Sequence, residues 1–515
     1  MSIEIRILSI FDQEKPFKKP ITMATNANNT PYPSRYEESL TQWINDEKAG
    51  FEFIEVLGRL YYDKAIELIF FRSQLIDRSA SVILHKHSYS LTVIGKKLSI
   101  HDSLLLSKIL PELDLPPARI DIGRLNQEWT EEKTKYKNDP RAFLSDKLKD
   151  AIGQKARFDK PVDVVLYGFG RIGRLLLREM VIQGNPSQLR VRAVVTRDVT
   201  PENIIKRAGL VRHDSIHGPF RGNVIEDVEN NSIYLNGHIV RMLDGKSPED
   251  IDYESFGIRD ALLIDNTGIF RDRENLSRHL KAKGISKVLL TAPGKGDIPN
   301  LVYGVNHETY DPEMSKERIF SAASCTTNAI VPVLDVLEKQ LGIEKGHIET
   351  IHSYTNDQNL LDNFHKKPRR GRAAPLNMVI TSTGAGSAAA KAIPSLKGKL
   401  SANAVRVPTP NVSLAILVLN VKKETTRETL IEILRTAALQ GRLVEQIRFS
   451  ASNESVSSDF IGDSCACIYD SPSTQVSADG RQIILYLWYD NEFGYTIQVM
   501  RLAKHLANVK RFRYY

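Results

Sequence analysis

Cysteine is scarce in this chain. Of 515 residues only Cys325, Cys465 and Cys467 are cysteine, too few for a disulfide-stapled secreted scaffold and better suited to a reducing compartment. Long apolar runs are missing as well, and no stretch approaches the ~20 residues that a membrane helix needs. The start, MSIEIRILSIFDQEKPFKKP, lacks the cationic opening and continuous apolar centre of a secretory signal. The cytoplasm is therefore the expected location. The first 155 or so residues also lack an internal repeat of known period, a clustered His/Cys set and a glycine-rich loop. Their sequence carries little about their role.

Charge leans basic, with 70 Lys and Arg against 62 Asp and Glu and a net charge of +8. That balance suits an anionic ligand such as a phosphate ester, and would also suit weak nucleic-acid binding or a generally basic soluble protein. Hydrophobic residues make up 42% and charged residues 26%, enough apolar content for real cores. The length predicts two to four domains.

Patterning divides the chain. Residues 1–34 are polar and rich in Asn, Thr and Pro, and are expected to be disordered, with Met23 a second plausible start. Residues 35–158 are predicted to form a helix-rich N-terminal extension. Trp43, Ile44, Phe51, Ile54, Leu57, Leu60 and Tyr61 recur there at three- and four-residue steps. Segment 65–71, AIELIFF, reads as buried helix or strand. Helices are expected near 79–85, 101–113 and 140–152, with the boundary between Lys155 and Pro161. From Val162 short apolar runs alternate with helical stretches, which predicts a parallel sheet covered on both faces over 159–324, completed by a C-terminal helix at 491–515. Longer strands over 325–490 predict a mainly antiparallel sheet. The expected class is α/β, a Rossmann-type dinucleotide-binding domain plus an α+β catalytic domain, preceded by the helical extension.

Gly168-Phe169-Gly170-Arg171-Ile172-Gly173 follows a predicted strand and opens a helix. The first glycine permits a tight turn, the second lets backbone approach a pyrophosphate, and the third lets helix and strand close up. The helix N-terminus then faces the phosphates. A structural glycine turn is the bland alternative. The second strand ends in Thr196-Arg197-Asp198, which offers both a carboxylate for a ribose hydroxyl and a guanidinium for a 2′-phosphate. Further on, Ser324-Cys325-Thr326-Thr327-Asn328 opens a predicted helix, where a thiol pKa falls. A cysteine before an apolar helix is usually inert. His352, at the end of a strand 27 residues later, raises its standing as an ionised nucleophile served by an acid–base group. Cys465 and Cys467 would share one side of a strand, and packing is the better reading than a metal site.

The ordered set GFGRIGR, DNTGIF, APGKGDIP, GVNH, SCTTN, RVPTPNVS and WYDNEFGY resembles the glyceraldehyde-3-phosphate dehydrogenase family over about residues 162–505. The extension resembles that of a longer bacterial branch. The resemblance implies Cys325 as nucleophile and His352 as its base. It implies that Asn491 holds the nicotinamide carboxamide with Tyr495 nearby, and that Thr267, Gly268, Phe270 and Thr291 line the cofactor. It implies Thr355 and Arg406, with Arg370 close by, at the substrate's own phosphate. Ser324, Thr326, Thr383 and Gly384 would take the attacking inorganic phosphate. The reaction implied is reversible oxidation of D-glyceraldehyde 3-phosphate to 1,3-bisphosphoglycerate by a homotetramer using NAD or NADP. Tyr167 and Ala322 stand where the family usually has Asn, and Asp362-Asn363-Phe364 replaces an Asp-Leu-Pro of strictly NAD-dependent members. Together with Arg197 this gives a slight lean to NADP or dual use. Erythrose-4-phosphate dehydrogenase, and a regulatory or RNA-binding protein on the same scaffold, are the rival readings. Nucleic acid is disfavoured by retention of Cys325 and His352 and by the lack of an aromatic–glycine RNA-binding signature. No membrane or metal is expected.

Overall fold

Three sheets carry the architecture in a computed structural model that describes residues 32–155, 160–183, 185, 187–245, 247–509 and 511–515. The expected disorder of residues 1–31, the second start at Met23 and most of the expected boundary at 155–161 lie outside the described residues. Tyr32–Ser34 already belong to the first helix, Tyr32–Lys64, three residues ahead of the expected start.

The nucleotide-binding sheet runs Ile319–Ser321, Ile285–Leu290, Ala261–Asp265, Val162–Tyr167, Leu189–Thr196, His238–Asp244, Ser232–Leu235, Val224–Asp227. The first six strands are parallel and the last two antiparallel. After Val162–Tyr167 the chain moves outward to one side, then returns to place Ala261–Asp265 on the other. Strand order thus reverses between these two central strands, where a ligand crevice opens at their carboxyl ends. Val164, Leu166, Val194 and Ile264 are buried on one face and Val165, Val195 and Leu263 on the other. This is why the strands read as unbroken apolar runs.

The second sheet is mixed and mainly antiparallel, in the order Val379–Ser382, Leu400–Val407, Ile343–Ser353, Ser413–Val421, Gln482–Tyr489, Cys467–Asp470, Ile447–Ser450. Helix Cys325–Gln340 packs its apolar residues against it. Cys465 and Cys467 are buried as free thiols, and among the described residues no group of three or more metal-ligating side chains gathers.

The third sheet differs most from expectation. Segment 65–71 is resolved as a strand, Ile66–Phe70, buried along its length. It pairs with Ser73–Gln74 and, in parallel, with Ala118–Asp121. That last strand and the following helix Ile122–Glu132 were not anticipated, since a four-residue strand carrying two charges has no clear period. The expected helix at 101–113 is Ile100–Ile109 followed by a single 3₁₀ turn containing Pro111. The one at 140–152 stops at Lys147. The C-terminal segment is corrected too. Helix Phe493–Leu506 packs on the nucleotide-binding core, but Asn508 turns left-handed and Phe512–Tyr514 becomes a strand beside Ala118–Asp121. Phe512 and Tyr514 then pack on the core formed by the N-terminal region. Further contacts join that region to the nucleotide-binding part. The Tyr61 hydroxyl accepts from Asn185 N–H at 3.0 Å, and Arg221 donates to the Asp77 carbonyl at 3.1 Å. Among the described residues no helix is long and apolar enough to cross a membrane.

Candidate active site

The glycine motif does what its spacing requires. Gly168 has φ +92°, and a Cβ there would stand 2.8 Å from the Thr267 side chain. A Cβ on Gly173 would meet the Gly168 carbonyl at 2.5 Å, whereas Gly170 faces open space. Helix Arg171–Gln183 begins there, so its first N–H groups lack intrahelical partners and point at the crevice. Phe169 and Ile172 pack on the core beneath. The Arg171 side chain is engaged within the protein. Its guanidinium is held by Asp214 (2.9 and 3.1 Å) and Glu492 (2.5 Å), which ties the glycine turn to the segment after Asn491.

At the adenosine end the two candidates part. Asp198 accepts from the Asn203 side chain at 2.6 Å and is drawn toward the next helix. Arg197 is exposed, and among the described residues no carboxylate pairs with it. Thr267 is fixed by the buried Asp265, whose Oδ1 accepts from its N–H (2.8 Å) and hydroxyl (2.7 Å). Gly268 is left-handed at φ +64°. The Thr291 hydroxyl donates to the Asp265 carbonyl at 3.0 Å. Phe270 joins Tyr167 and His279 in an aromatic cluster, and Tyr167 donates to the Gly245 carbonyl at 3.2 Å. The Tyr167 that stands in place of Asn is thus buried in this cluster.

The nucleophile loop is strained and braced. Ala323 has φ +56°, an unfavourable backbone for a non-glycine residue. Its N–H donates to Ser321 Oγ at 3.0 Å and its carbonyl accepts from the Tyr495 hydroxyl at 2.9 Å. Tyr495 is therefore a brace for the turn that presents Cys325. Helix Cys325–Gln340 follows, with Ser324 as N-cap accepting from Thr327 N–H at 3.0 Å. Cys325 Sγ lies 3.5 Å from His352 Nε2. Sheet register places Arg406 directly opposite His352. Arg406 Nη1 lies 2.7 Å from both His352 Nδ1 and the Ser353 carbonyl.

Electrostatics bear on the expected ion pair of Cys325 and His352. Burial raises the Cys325 thiol above its ordinary value, although Arg406 and the Thr326 side chain and N–H oppose the rise. Burial, reinforced by Arg406, lowers His352 to about 3. Burial thus favours the uncharged form of each partner. A standing thiolate–imidazolium pair is disfavoured because Arg406 occupies the position from which an imidazolium would be repelled. His352 can still take the thiol proton in the course of reaction.

Other predicted residues fall into two groups. Arg370 is buried, donates to Thr381 at 3.0 Å and is paired with Asp357, while Thr355 borders the same turn. The Thr383 hydroxyl accepts from Ala385 N–H at 3.3 Å, and Gly384 caps the helix Ala385–Ala392. Ser324 and Thr326 are committed to protein partners, Ser324 to its cap and Thr326 to the Tyr489 hydroxyl at 3.0 Å. Three contributors were missed: Asp357, Ser413 and Tyr489. Tyr489 bridges Thr326 and Thr350 (2.7 Å) and sets its ring edge against His352. Ser413 accepts from Ser353 N–H at 3.1 Å and donates to Asn491 Oδ1 at 2.9 Å, which leaves the Asn491 NH₂ available. The inward alternation of Ile483, Leu485, Leu487 and Tyr489 carried a signal for Tyr489, and Ser413 is its partner across the sheet.

Comparison with known proteins agrees with this geometry. Residues 162–273 match the glyceraldehyde 3-phosphate dehydrogenase NAD binding domain, and residues 324–491 match the glyceraldehyde 3-phosphate dehydrogenase C-terminal domain. A glyceraldehyde-3-phosphate dehydrogenase-like protein of Pseudomonas aeruginosa is 47% identical over 460 residues, covering 88% of this chain and 98% of its own. The glyceraldehyde-3-phosphate dehydrogenase of Geobacillus stearothermophilus is 39% identical over 347 residues, 67% of this chain and 98% of its own. The chloroplastic glyceraldehyde-3-phosphate dehydrogenase A of Zea mays is 41% identical over 356 residues, 69% of this chain and 85% of its own. The longer Pseudomonas match reaches well into the N-terminal region.

Proposed function

Because this chain belongs to the glyceraldehyde-3-phosphate dehydrogenase family and is an NAD(P)-binding oxidoreductase of that type, we propose that it oxidises D-glyceraldehyde 3-phosphate, with inorganic phosphate, to 1,3-bisphosphoglycerate. The observation that carries this reading is Cys325 Sγ at 3.5 Å from His352 Nε2, at the head of a helix. Cys325 adds to the aldehyde carbon while His352 takes the thiol proton, giving a thiohemiacetal. The Cys325 N–H, at the helix start, supports the developing oxyanion. The dinucleotide supplies the hydride acceptor when bound. Inorganic phosphate then displaces Cys325 from the thioester. Arg406 and Thr355, with Arg370 close by, are assigned to the substrate's phosphate, and Ser324, Thr326, Thr383 and Gly384 to the second anion.

The residues fit a dinucleotide. Gly170 leaves its face open, the helix start offers N–H groups, and Ser413 turns the Asn491 amide so that its NH₂ can meet a carboxamide oxygen. The unpaired Arg197 and the diverted Asp198 favour use of NADP alongside NAD. The regions 35–158, 159–324 and 325–490 are proposed as separate domains on their three cores, with 491–515 shared between the first two. Exposed Leu360, Leu361, Phe364, Leu376, Met378 and Ile380 form apolar surface that a homotetramer would cover. Cytoplasmic residence accords with three free thiols. Steady-state rates with glyceraldehyde 3-phosphate and erythrose 4-phosphate, with and without phosphate, test the assignment. A phosphate-independent preference for erythrose 4-phosphate would reject it.

A further inference from the structure

A cavity of about 590 Å³ lies where the N-terminal region, helix Phe493–Leu506 and strand Phe512–Tyr514 meet. None of the residues assigned to the active site lines it. Its wall holds four well-buried basic side chains, Arg119, Arg501, Lys504 and Arg511, against two buried carboxylates, Glu67 and Glu445, with the more exposed Asp150, Glu308 and Asp311 also lining it. Arg119 and Arg511 share Glu67, at 3.2 and 2.7 Å, and Arg119 also pairs with Glu445. Arg501 stands 3.7 Å from the same Glu445. The Lys504 ammonium donates to the Gln183 carbonyl at 3.0 Å, which leaves two N–H groups. Burial and the neighbouring guanidinium groups push Lys504 well below the usual lysine range. On the same wall the buried Arg72 Nε has no hydrogen-bond partner, and Arg513 is exposed beside the cavity.

Buried cations in excess of their counter-ions are costly, because desolvation is not offset by pairing. A cavity of this size accommodates a small molecule. We propose that it binds a phosphorylated small molecule carrying at least two negative charges. Phosphate oxygens would accept from Lys504 and the arginine forks, and would favour the charged form of Lys504 that burial opposes. The wall also links this site to the chemistry. The helix that carries Arg501 and Lys504 begins at Phe493, just after Asn491, and its Tyr495 braces the Ala323 turn before Cys325. An anion seated at one end of that helix bears on the nucleophile at the other.

The test uses the full chain, with inorganic phosphate, pyrophosphate and ATP as probes. Pyrophosphate or ATP should raise the thermal unfolding midpoint saturably and alter the rate at which iodoacetamide alkylates Cys325. Lys504→Met or Arg513→Gln should weaken that binding by about 10–100-fold, the loss of one charge-assisted contact. If Lys504→Met does not fold, the exposed pair Arg513→Gln and Lys155→Glu serves instead. Arg406→Gln, in the active site, should leave the probe's stabilisation in place. Stabilisation that survives the Arg513→Gln/Lys155→Glu change, that disappears in Arg406→Gln, or that no probe produces would overturn the proposal.

Discussion

At the scale of single residues the chemistry rests on one contact and its neighbours. Cys325→Ser should abolish oxidation while leaving folding and dinucleotide binding nearly unchanged, because the thiolate is the nucleophile. Iodoacetamide should label Cys325 ahead of the fully buried Cys465 and Cys467, a ranking that mass spectrometry reads directly. Since burial holds the thiol above its ordinary value, alkylation should climb with pH through the alkaline range. The sign follows from thiolate being the reacting form: raising pH above a raised pKa creates it. A plateau already reached below neutrality would instead reveal a standing ion pair. His352→Asn should slow acylation by roughly 10²–10⁴-fold, the usual worth of an acid–base group. Cys325 and His352 were legible because each sits in a local motif. Arg406 was legible only by resemblance, since its position opposite His352 is a matter of strand register. Asp357 and Ser413 escaped because their roles depend on one segment folding back to Arg370 and on strand register beside Tyr489.

At the scale of elements the nucleotide crevice is set by a turn, a helix start and a neighbouring strand end. The glycine spacing announced all three, and the reversal of strand order puts them together. What the sequence left open was which of Arg197 and Asp198 faces the ribose, and one side-chain hydrogen bond supports the proposal that Arg197 does. Asn203 holds Asp198 at 2.6 Å. Arg197→Ala should therefore weaken NADP more than NAD, by about 1.5–3 kcal/mol if a charged hydrogen bond is lost. Asn203→Ala should release Asp198 and shift preference toward NAD. Equal losses for both cofactors, measured by titration of intrinsic fluorescence, would show that Arg197 does not read the phosphate. The first helix was legible as a helix but not in its covering. Leu57, Leu60 and Tyr61 are buried as the period implies, whereas Trp43, Ile44 and Phe51 are exposed, Phe51 by 62%. Periodicity finds an apolar face without saying whether a neighbour is there to cover it.

At the scale of the whole molecule the N-terminal region is joined to the rest at both ends of the chain. A protein starting near Lys160 would lose the partners of Arg511 and Phe512–Tyr514 and would expose Lys504 and Arg501. Its unfolding midpoint should drop, and its activity should fall with temperature sooner than that of the full chain, both readable in paired thermal scans. Retention of the full midpoint would show that the region is an independent appendage. The class of the fold was readable from alternating strands and helices, but this closure was not, because a three-residue strand at 512–514 gives no periodic signal and its partner lies almost four hundred positions earlier.

That pairing has a consequence for how the protein is made. The strand Ala118–Asp121 leaves the ribosome early, flanked on one side by Ile66–Phe70 and open on the other. An open strand edge invites pairing with other chains. Only when residues 512–514 emerge is that edge filled. This sheet is thus made long before its last strand, and until that strand arrives its own charged residues, Arg119 and Asp121, discourage foreign pairing at the edge.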